Sequence, residues 1–237
     1  MYDELFAKVP DHPRLTRRES TTLTQRKIES KLQLISGFLN RAIVFAEFAP
    51  GDCRFASAAA ERVKKIYAID ISNQSGLSAF PPNFELIIYD GYDLDLKDDS
   101  IDLVFSDQLI EHLYPEDAEL HFHLVYRTLS KDGHYIFRTP HAFTGPHDIS
   151  KYFSEEPEGF HLKEWTYSEL SRLLRKTGFT RPYGYWWFRG RQFELPIIVF
   201  ALIELPLTIF PRKMRKRIVM SKKFRFLRQG ITIIASK

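Results

Sequence analysis

The sequence has few of the features of secreted and membrane proteins, namely paired cysteines, an apolar signal segment and an apolar membrane span. It has a single cysteine, Cys53, which excludes an internal disulfide and is typical of a reducing compartment. The N-terminal residues MYDEL are acidic and lack the apolar stretch of a secretory signal. The apolar segment 193–210 contains two glutamates and two prolines and is therefore a poor membrane span. We therefore expect a cytoplasmic protein.

Most of the chain also lacks a net positive charge, although the net charge of the whole chain is +4. Residues 189–228 contain eleven Lys or Arg against two Glu, so this segment carries +9 and the remainder of the chain carries −5. The basic character thus belongs to one late segment. A nucleic-acid-binding surface spread over the fold is a poor explanation of this distribution.

Residues 42–72 predict a strand, turn, helix and second strand, with an acid after each strand. The strand 42–46 leads to Glu47, a turn covers 49–52, and a helix over 56–64 precedes the strand 65–69, which ends in Asp70. In open α/β sheets, ligands bind outside the carboxyl ends of the strands. Asp70 follows the glycine turn by about 20 residues, the separation expected for an acid that binds a ribose. The unit predicts a nucleoside-containing cofactor.

The glycine pattern of a dinucleotide site is missing from this turn. Its three glycine positions hold Ala49, Gly51 and Arg54, and the carboxylates of Glu47 and Asp52 lie beside them. Those charges would repel a pyrophosphate, which dinucleotide sites hold at a helix N-terminus. They suit a ligand that carries an ammonium and a sulfonium group, as S-adenosylmethionine does.

The rest of the chain alternates predicted strands and helices. Further strands are predicted at 84–89, 101–105, 134–138, 183–188 and 231–235. Helices are predicted at 24–39, 116–129 and 167–177. This alternation predicts an α/β protein with a doubly wound, mostly parallel sheet of seven strands and a helical insertion before the last strand. We expect a helical leader over 1–40 and one domain over 41–237, with the insertion at about 189–229.

In this order the segments resemble the class I S-adenosylmethionine-dependent methyltransferases, and within them the type 11 or UbiE/UbiG-like subgroup. Residues 47–53, EFAPGDC, are similar to that family's E-x-G-x-G-x-G loop, and Asp70 and Asp90 resemble its acids for ribose and adenine. Residues 100–106 and 110–113 resemble its fourth strand and the turn after it. The resemblance implies a Rossmann-like methyltransferase fold with S-adenosyl-L-methionine as the cofactor. It implies a cofactor site made of Glu47, Ala49, Gly51, Asp70, Ile71, Asp90, Gly91, Ser106 and Gln108.

Two positions depart from the family's loop. Ala49 and Cys53 stand where it has glycines, so a left-handed backbone there would cost each residue about 1–2 kcal/mol. Cys53 would also narrow the space for the methionine part of the cofactor. These departures leave open a second hypothesis, a non-enzymatic binding module of the same fold that is tethered through its basic segment.

Methyl transfer from a sulfonium depends mainly on alignment of the acceptor with the methyl group, and a base is needed only where the acceptor must lose a proton. Histidine suits that role near neutral pH. His112, His141, His147 and His161 all fall at the carboxyl ends of the fourth and fifth predicted strands of the sheet or in the loop beyond. Of these, His112, His141 and His147 are the candidate catalytic residues, which we expect to face the acceptor. Each of them could instead order a loop through a hydrogen bond. No set of His, Cys and Asp residues has the spacing of zinc ligands, so we expect no metal.

The late insertion combines the apolar segment 193–210 with basic runs at 212–217 and 222–226. An apolar hairpin rimmed by basic residues is typical of attachment to an anionic membrane surface, and we expect 193–228 to provide it. A helical cap on the sheet is the alternative. Nucleic-acid binding is disfavoured, because aliphatic residues offer no stacking platform for bases. We expect the acceptor to be a small molecule, a sugar or a lipid-linked intermediate, with the enzyme peripheral at the membrane.

Overall fold

The computed structural model describes residues 21–75, 77, 79–152, 154–157, 159–188, 191–221, 228 and 230–237. The chain divides into two compact units, Met1–Gly37 and Phe38–Lys237. In the first unit, helix α1 covers Thr21–Ile35, so it begins and ends a few residues before the predicted helix. The predicted leader over 1–40 lies partly outside the described residues, and that division stays a prediction.

The second unit is built on one eight-stranded sheet. Its strands are β1 (Val44–Phe48), β2 (Lys65–Asp70), β3 (Phe84–Ile88), β4 (Ile101–Asp107), β5 (Leu129–Thr139), β6 (Thr180–Phe188), β7 (Arg191–Pro196) and β8 (Ile231–Ser236). Its α-helices are α2 (Arg54–Ala60), α3 (Pro115–Thr128), α4 (Tyr167–Lys176), α5 (Ile197–Glu204) and α6 (Arg212–Val219). Short 3₁₀ helices cover Ile110–His112, Ile149–Tyr152 and Leu205–Ile209. Among the helices described, none has both the length and the apolar character needed to cross a membrane.

The strand order is β3-β2-β1-β4-β5-β8-β6-β7. Strands β1 to β5 pair in parallel, and β8 lies antiparallel between β5 and β6. This arrangement confirms the doubly wound, mostly parallel sheet. Because parallel strands end at the same side, the loops after β1 to β5 all lie at one edge of the sheet, the carboxyl edge.

The sheet has one strand more than predicted, because the insertion begins with a strand. β7 forms an antiparallel hairpin with β6 and is the outermost strand of the sheet. The apolar segment 193–210 is not one element in the structure, because Pro196 divides it. Proline has no N–H to donate to a sheet, so the strand ends there and α5 begins at Ile197. The prediction of a purely helical insertion was therefore wrong for its first residues.

Two strands extend farther toward the carboxyl edge than predicted. β1 ends at Phe48 and β4 ends at Asp107, so Glu47 and Ser106 lie within strands and are buried. β5 begins at Leu129, five residues before the strand predicted at 134–138, and its pairing with β4 is irregular after Ile101. The apolar pattern marks only the most buried part of a strand, whereas backbone pairing continues beyond it.

A buried aromatic cluster between α3 and β5 supports the sheet. The Phe122 ring packs edge-on against Tyr135 and Phe137, with ring centroids 5.5 and 5.2 Å apart. The Tyr135 hydroxyl lies 2.7 Å from Ser106 Oγ and 2.9 Å from His121 Nε2, so these buried polar atoms satisfy one another. Burial lowers the pKa of His121 to about 4, and the imidazole is therefore neutral at pH 7.

Candidate active site

The loop after β1 has the backbone of a three-glycine loop, although it contains one glycine. Ala49, Gly51 and Cys53 have φ angles of 53°, 55° and 59°, all in the left-handed region. They occupy the three glycine positions of the E-x-G-x-G-x-G pattern. The Ala49 N–H donates to the Ile69 carbonyl at 2.9 Å and joins the start of the loop to β2. The loop thus keeps its shape with two residue types that normally avoid this conformation.

The side chains of Ala49 and Cys53, which replace glycines of the family loop, do not fill the space above Gly51. A Cβ built on that glycine would meet nothing within 4 Å, so the loop is open at this residue. The Cys53 side chain is buried in the protein instead, with its Sγ 3.8 Å from the Gly51 carbonyl oxygen. Burial and the nearby carboxylates, Glu47 foremost, raise the pKa of the thiol to about 12. The residues present therefore fit a cofactor that approaches the backbone at Gly51.

Acids mark the carboxyl ends of the first three strands. Glu47, in β1, is 1 % exposed. Asp70, at the end of β2, is partly buried, and burial raises its pKa against the opposing effect of backbone N–H donors that include Gly51. Asp90, after β3, accepts two backbone N–H groups at 2.7 and 2.8 Å, which lowers its pKa. This edge of the sheet is therefore acidic and suits a cationic ligand.

The remaining predicted cofactor residues lie at the same edge with different exposure. Ile71 is 63 % exposed and follows Asp70 directly. Gly91 has a φ of 98°, and Gln108, just past β4, is exposed with a φ of 60°. The Ser106 hydroxyl is bonded to Tyr135 in the core, so it is already engaged. Contact of these residues with the cofactor stays a prediction.

A second group of side chains lies where the turn after β4 meets the loop before α4. The Glu111 carbonyl oxygen accepts the N–H groups of residues 162 and 163 at 2.8 and 3.2 Å. These bonds bring together two segments that are far apart in the sequence. As a result, one possible ligand atom from each of Glu111, His112 and His161 lies within 4.8 Å of the other two.

The two carboxylate oxygens of Glu111 have different surroundings. The residue is fully buried, and Thr139 Oγ1 donates to Oε2 at 2.9 Å. Among the described residues, Oε1 has no hydrogen-bond partner. Burial raises the pKa of Glu111 to about 7. Burial also lowers the pKa of the adjacent His112, which keeps its imidazole neutral near pH 7.

Glu164 joins two of the histidines in this region. Its Oε1 lies 2.8 Å from His161 Nδ1, and its Oε2 lies 3.2 Å from His147 Nδ1. Burial raises the pKa of Glu164, but the hydrogen bonds from His147 and His161 outweigh that effect and hold the pKa at about 2. Glu164 is therefore an ionised carboxylate, and each Nδ1 donates to it. The His147 side chain remains 33 % exposed.

The third predicted catalytic histidine, His141, has a structural position. It is fully buried, its Nδ1 accepts the Phe143 N–H at 3.0 Å, and its Nε2 lies 2.7 Å from Glu204 Oε1 in α5. Both ring nitrogens are engaged, so His141 has no free nitrogen to take a proton from an acceptor. We correct the catalytic assignment for this reason. The position after β5 suggested proximity to the acceptor, but the side chain turns inward to α5.

Two residues of this region, Glu111 and Glu164, were not predicted as site residues, and His161 was considered as a base but was not among the predicted catalytic residues. Some signal was present, because a glutamate next to Ile110 in an apolar turn and the H-x-x-E spacing of His161 and Glu164 are both unusual. Their proximity, however, depends on contacts between loops. Together they place an imidazole and two carboxylates near the carboxyl edge, where such groups can take up a proton or hold a cation.

Comparison with known families supports a cofactor site at the carboxyl edge of the sheet. Residues 46–137 match the family described as a methyltransferase domain. The match spans β1 to β5, and it includes the loop at Gly51 and the turn at Glu111. A comparison with curated proteins found no match. The UbiE/UbiG-like subgroup therefore stays a hypothesis.

Solved structures share the fold at low sequence identity. A Mesorhizobium loti S-adenosylmethionine-dependent methyltransferase is 15 % identical, with a TM-score of 0.58 over 88 % of this chain and 98 % of that one. A Thermotoga maritima protein described as a possible histamine N-methyltransferase is 17 % identical, with a TM-score of 0.60 over 100 % and 98 %. The Burkholderia thailandensis 1,6-didemethyltoxoflavin-N1-methyltransferase, solved with S-adenosylhomocysteine, is 15 % identical, with a TM-score of 0.59 over 100 % and 86 %. Residues 46–137 thus match a methyltransferase domain, and the chain has the fold of solved S-adenosylmethionine-dependent methyltransferases.

Proposed function

We propose that this methyltransferase acts on a lipid-linked acceptor at an anionic membrane surface. Its own carboxyl edge provides the acidic site for the cofactor, with Asp70 and Asp90 as the acids for ribose and adenine. The cofactor supplies the methyl group on a good leaving group, so the protein's main task is to align the acceptor. The observation that carries the membrane part of the proposal is an exposed apolar stripe beside a basic helix, both in the insertion.

The stripe runs along α5 and the 3₁₀ helix that follows it. One face of this segment is buried and consists of Ile197, Phe200, Glu204 and Leu207. The opposite face, which we name the outer stripe, consists of Ile198, Leu202, Leu205 and Ile209, which are 51, 61, 63 and 82 % exposed. Four adjacent exposed aliphatic side chains at helical spacing are costly in water. Such a face is typical of a surface that contacts another apolar phase.

Helix α6 follows the outer stripe and is strongly basic. Its sequence, RKMRKRIV, contains five Lys or Arg and no acid. Part of this charge is matched, since Arg212 pairs with Glu156 and Lys213 lies 3.1 Å from Glu155. Lys213 nevertheless keeps 85 % of its side chain exposed, and Arg217 is exposed as well. Each Lys or Arg near an anionic lipid surface adds about 1 kcal/mol of binding free energy.

The buried face of the insertion is fixed to the domain. The rings of Tyr167 and Phe200 stack with centroids 4.5 Å apart. Glu204 accepts the N–H groups of Tyr167 and Ser168 at 2.7 and 2.9 Å and also bonds to His141 in the loop after β5. The cap hypothesis therefore describes the inner face of the insertion, and the membrane hypothesis concerns the outer one. A membrane contact at the outer stripe would present a lipid-linked acceptor close to the loop after β5.

Sedimentation with lipid vesicles tests the membrane proposal. The wild-type protein should bind vesicles that contain phosphatidylglycerol more tightly than pure phosphatidylcholine vesicles, and added salt should weaken the binding. The double variant Leu205→Ser/Ile209→Ser should bind about 10–100-fold more weakly, because two apolar side chains no longer leave water. We prefer this variant to a deletion of 193–228, which would also expose the inner face.

The matched control is Leu23→Ser/Leu120→Ser, which removes two similarly exposed leucines from other helices, at 51 and 52 % exposure. This control should bind vesicles as the wild type does. If the outer-stripe variant also binds unchanged, the membrane proposal is wrong, and the insertion is a cap alone.

Calorimetric titration with S-adenosylhomocysteine tests the cofactor site separately. Asp70→Ala should lose cofactor binding and activity together, whereas vesicle binding should persist. Asp95→Ala is a suitable control, since Asp95 is an exposed acid in the loop after β3. The alternative of a non-enzymatic binding module is not favoured, because Ala49 and Cys53 preserve the left-handed loop and leave it open at Gly51. Cofactor binding that survives Asp70→Ala would contradict the assigned site.

A further inference from the structure

The cluster of Glu111, His112 and His161 has the composition of a metal centre. One possible ligand atom from each residue lies within 4.8 Å of the other two, and the set combines two imidazoles with one carboxylate. Glu111 and His112 are neighbours in the turn after β4, and His161 comes from the loop before α4. Two backbone hydrogen bonds to the Glu111 carbonyl hold these segments together, so folding assembles the cluster without a ligand.

Both histidines make the hydrogen bond that metal-binding histidines usually make. His112 Nδ1 lies 2.8 Å from the Phe160 carbonyl oxygen, and His161 Nδ1 lies 2.8 Å from Glu164 Oε1. A carbonyl and a carboxylate are acceptors, so each Nδ1 carries the proton and each Nε2 carries a lone pair. Metal-ligating histidines almost always donate their other ring N–H to a carboxylate, a carbonyl or water in this way.

The carboxylate supplies an independent observation. Glu111 is fully buried, Thr139 holds its Oε2, and Oε1 has no hydrogen-bond partner among the described residues. A buried polar atom without a partner costs about 1–3 kcal/mol and is uncommon in folded proteins. A cation placed between Glu111 and the two imidazoles would satisfy that oxygen.

We propose that Glu111, His112 and His161 bind one divalent transition-metal ion, such as zinc. Two imidazole ligands favour zinc or a similar metal over magnesium, which takes oxygen ligands. Three protein ligands leave coordination positions for water or an acceptor oxygen, as in catalytic metal sites. Zinc bonds of about 2.0–2.1 Å place tetrahedral ligand atoms about 3.4 Å apart, so the three atoms must close by up to about 1.5 Å on binding.

Titration of the full chain with zinc tests this proposal. The purified protein is treated with a chelator, dialysed and titrated with Zn²⁺ in a calorimeter, and Co²⁺ is added separately to record its visible absorption. We expect one ion per chain in the wild type. Glu111→Gln and His161→Asn should each abolish the binding, because each removes one of only three protein ligands. Glu164→Gln, which alters the residue that orients His161, should weaken it about 10–100-fold.

Two controls separate this site from adventitious binding. His123→Asn removes a half-exposed histidine of α3 and should bind zinc as the wild type does. Thermal unfolding identifies any variant that fails to fold; if Glu111→Gln is one, the less buried His161→Asn decides the question. The proposal is overturned if the wild type binds no zinc, if His161→Asn binds it unchanged, or if Mg²⁺ binds in preference to Zn²⁺. Because the titration needs no cofactor, acceptor or vesicle, its failure leaves the proposed function standing.

Discussion

Replacement of Ala49 by glycine should stabilise the protein, against the usual effect of an Ala→Gly change. Ala49 has a φ of 53°, a conformation that costs an L-amino acid about 1–2 kcal/mol, and glycine removes that cost. Glycine also gives the unfolded chain more freedom, which offsets about 0.5–1 kcal/mol of the gain. The Ala49 side chain is exposed, so little packing is lost. We expect a net gain of about 0.5–1 kcal/mol in the free energy of unfolding.

Differential scanning calorimetry measures this gain as a rise in Tm of about 1–4 °C, since 1 kcal/mol shifts a domain of this size by about 2–4 °C. Ala42→Gly is the matched control, because Ala42 is exposed in a turn and is not left-handed. That variant should lose about 0.5–1 kcal/mol. Equal destabilisation of both variants would refute the argument that strain is stored at Ala49. Affinity for S-adenosylhomocysteine should not fall in Ala49→Gly.

Three further predictions follow from the loop, the core and the insertion. Gly51→Ala should cost about 1–2 kcal/mol of stability but reduce S-adenosylhomocysteine affinity by more than 10-fold in calorimetry, because its Cβ enters the space above the loop. The pKa of His121 is lowered from its usual 6.5 to about 4, so the unfolded chain takes up a proton at this residue at a higher pH than the folded protein does, and stability is lost as the pH falls below 6.5. Between pH 7 and 5, denaturant melts should show the wild type losing about 2 kcal/mol more free energy of unfolding than His121→Gln. Equal losses in the two proteins would contradict this. Glu204→Gln should destabilise the protein by about 2–4 kcal/mol in the same melts, because four hydrogen bonds, two buried and two partly buried, lose their carboxylate acceptor. The exposed Glu194→Gln should stay within about 0.5 kcal/mol. Comparable losses in the two glutamate variants would contradict the role of Glu204.

Much of the fold was readable from local patterns. Continuous apolar runs marked the parallel strands, so the predicted doubly wound, mostly parallel sheet was confirmed. The predicted element boundaries were wrong where the apolar pattern and the backbone pairing end at different residues. β4 continues to Asp107 beyond its apolar run, and Pro196 divides an apolar segment into an edge strand and a helix.

The position of the loop after β1 could be predicted from the sequence, but its backbone conformation could not. The spacing from the glycine turn at Gly51 to Asp70 predicted the cofactor site at the carboxyl edge, and the family resemblance identified Ala49 and Cys53 as positions that normally have glycine. Whether the chain would change its conformation there or bear the strain could not be read from residue types. The structure keeps the left-handed conformation at both, since β1, β2 and α2 fix the ends of the loop.

Local residue patterns are enough to predict the architecture of the protein: an α/β sheet with acids at its carboxyl edge, a cofactor loop, and an insertion with an apolar and a basic part. These properties depend on periodicity and on residues close together in the chain. Which histidines share a site depends instead on how the loops pack in the folded protein. This packing buries His141 against Glu204 and brings His161 to Glu111 and His112, because those contacts form between loops on different strands and helices. Loop-to-loop contacts leave no periodic trace in a sequence, and the chemistry that they assemble becomes visible only in the fold.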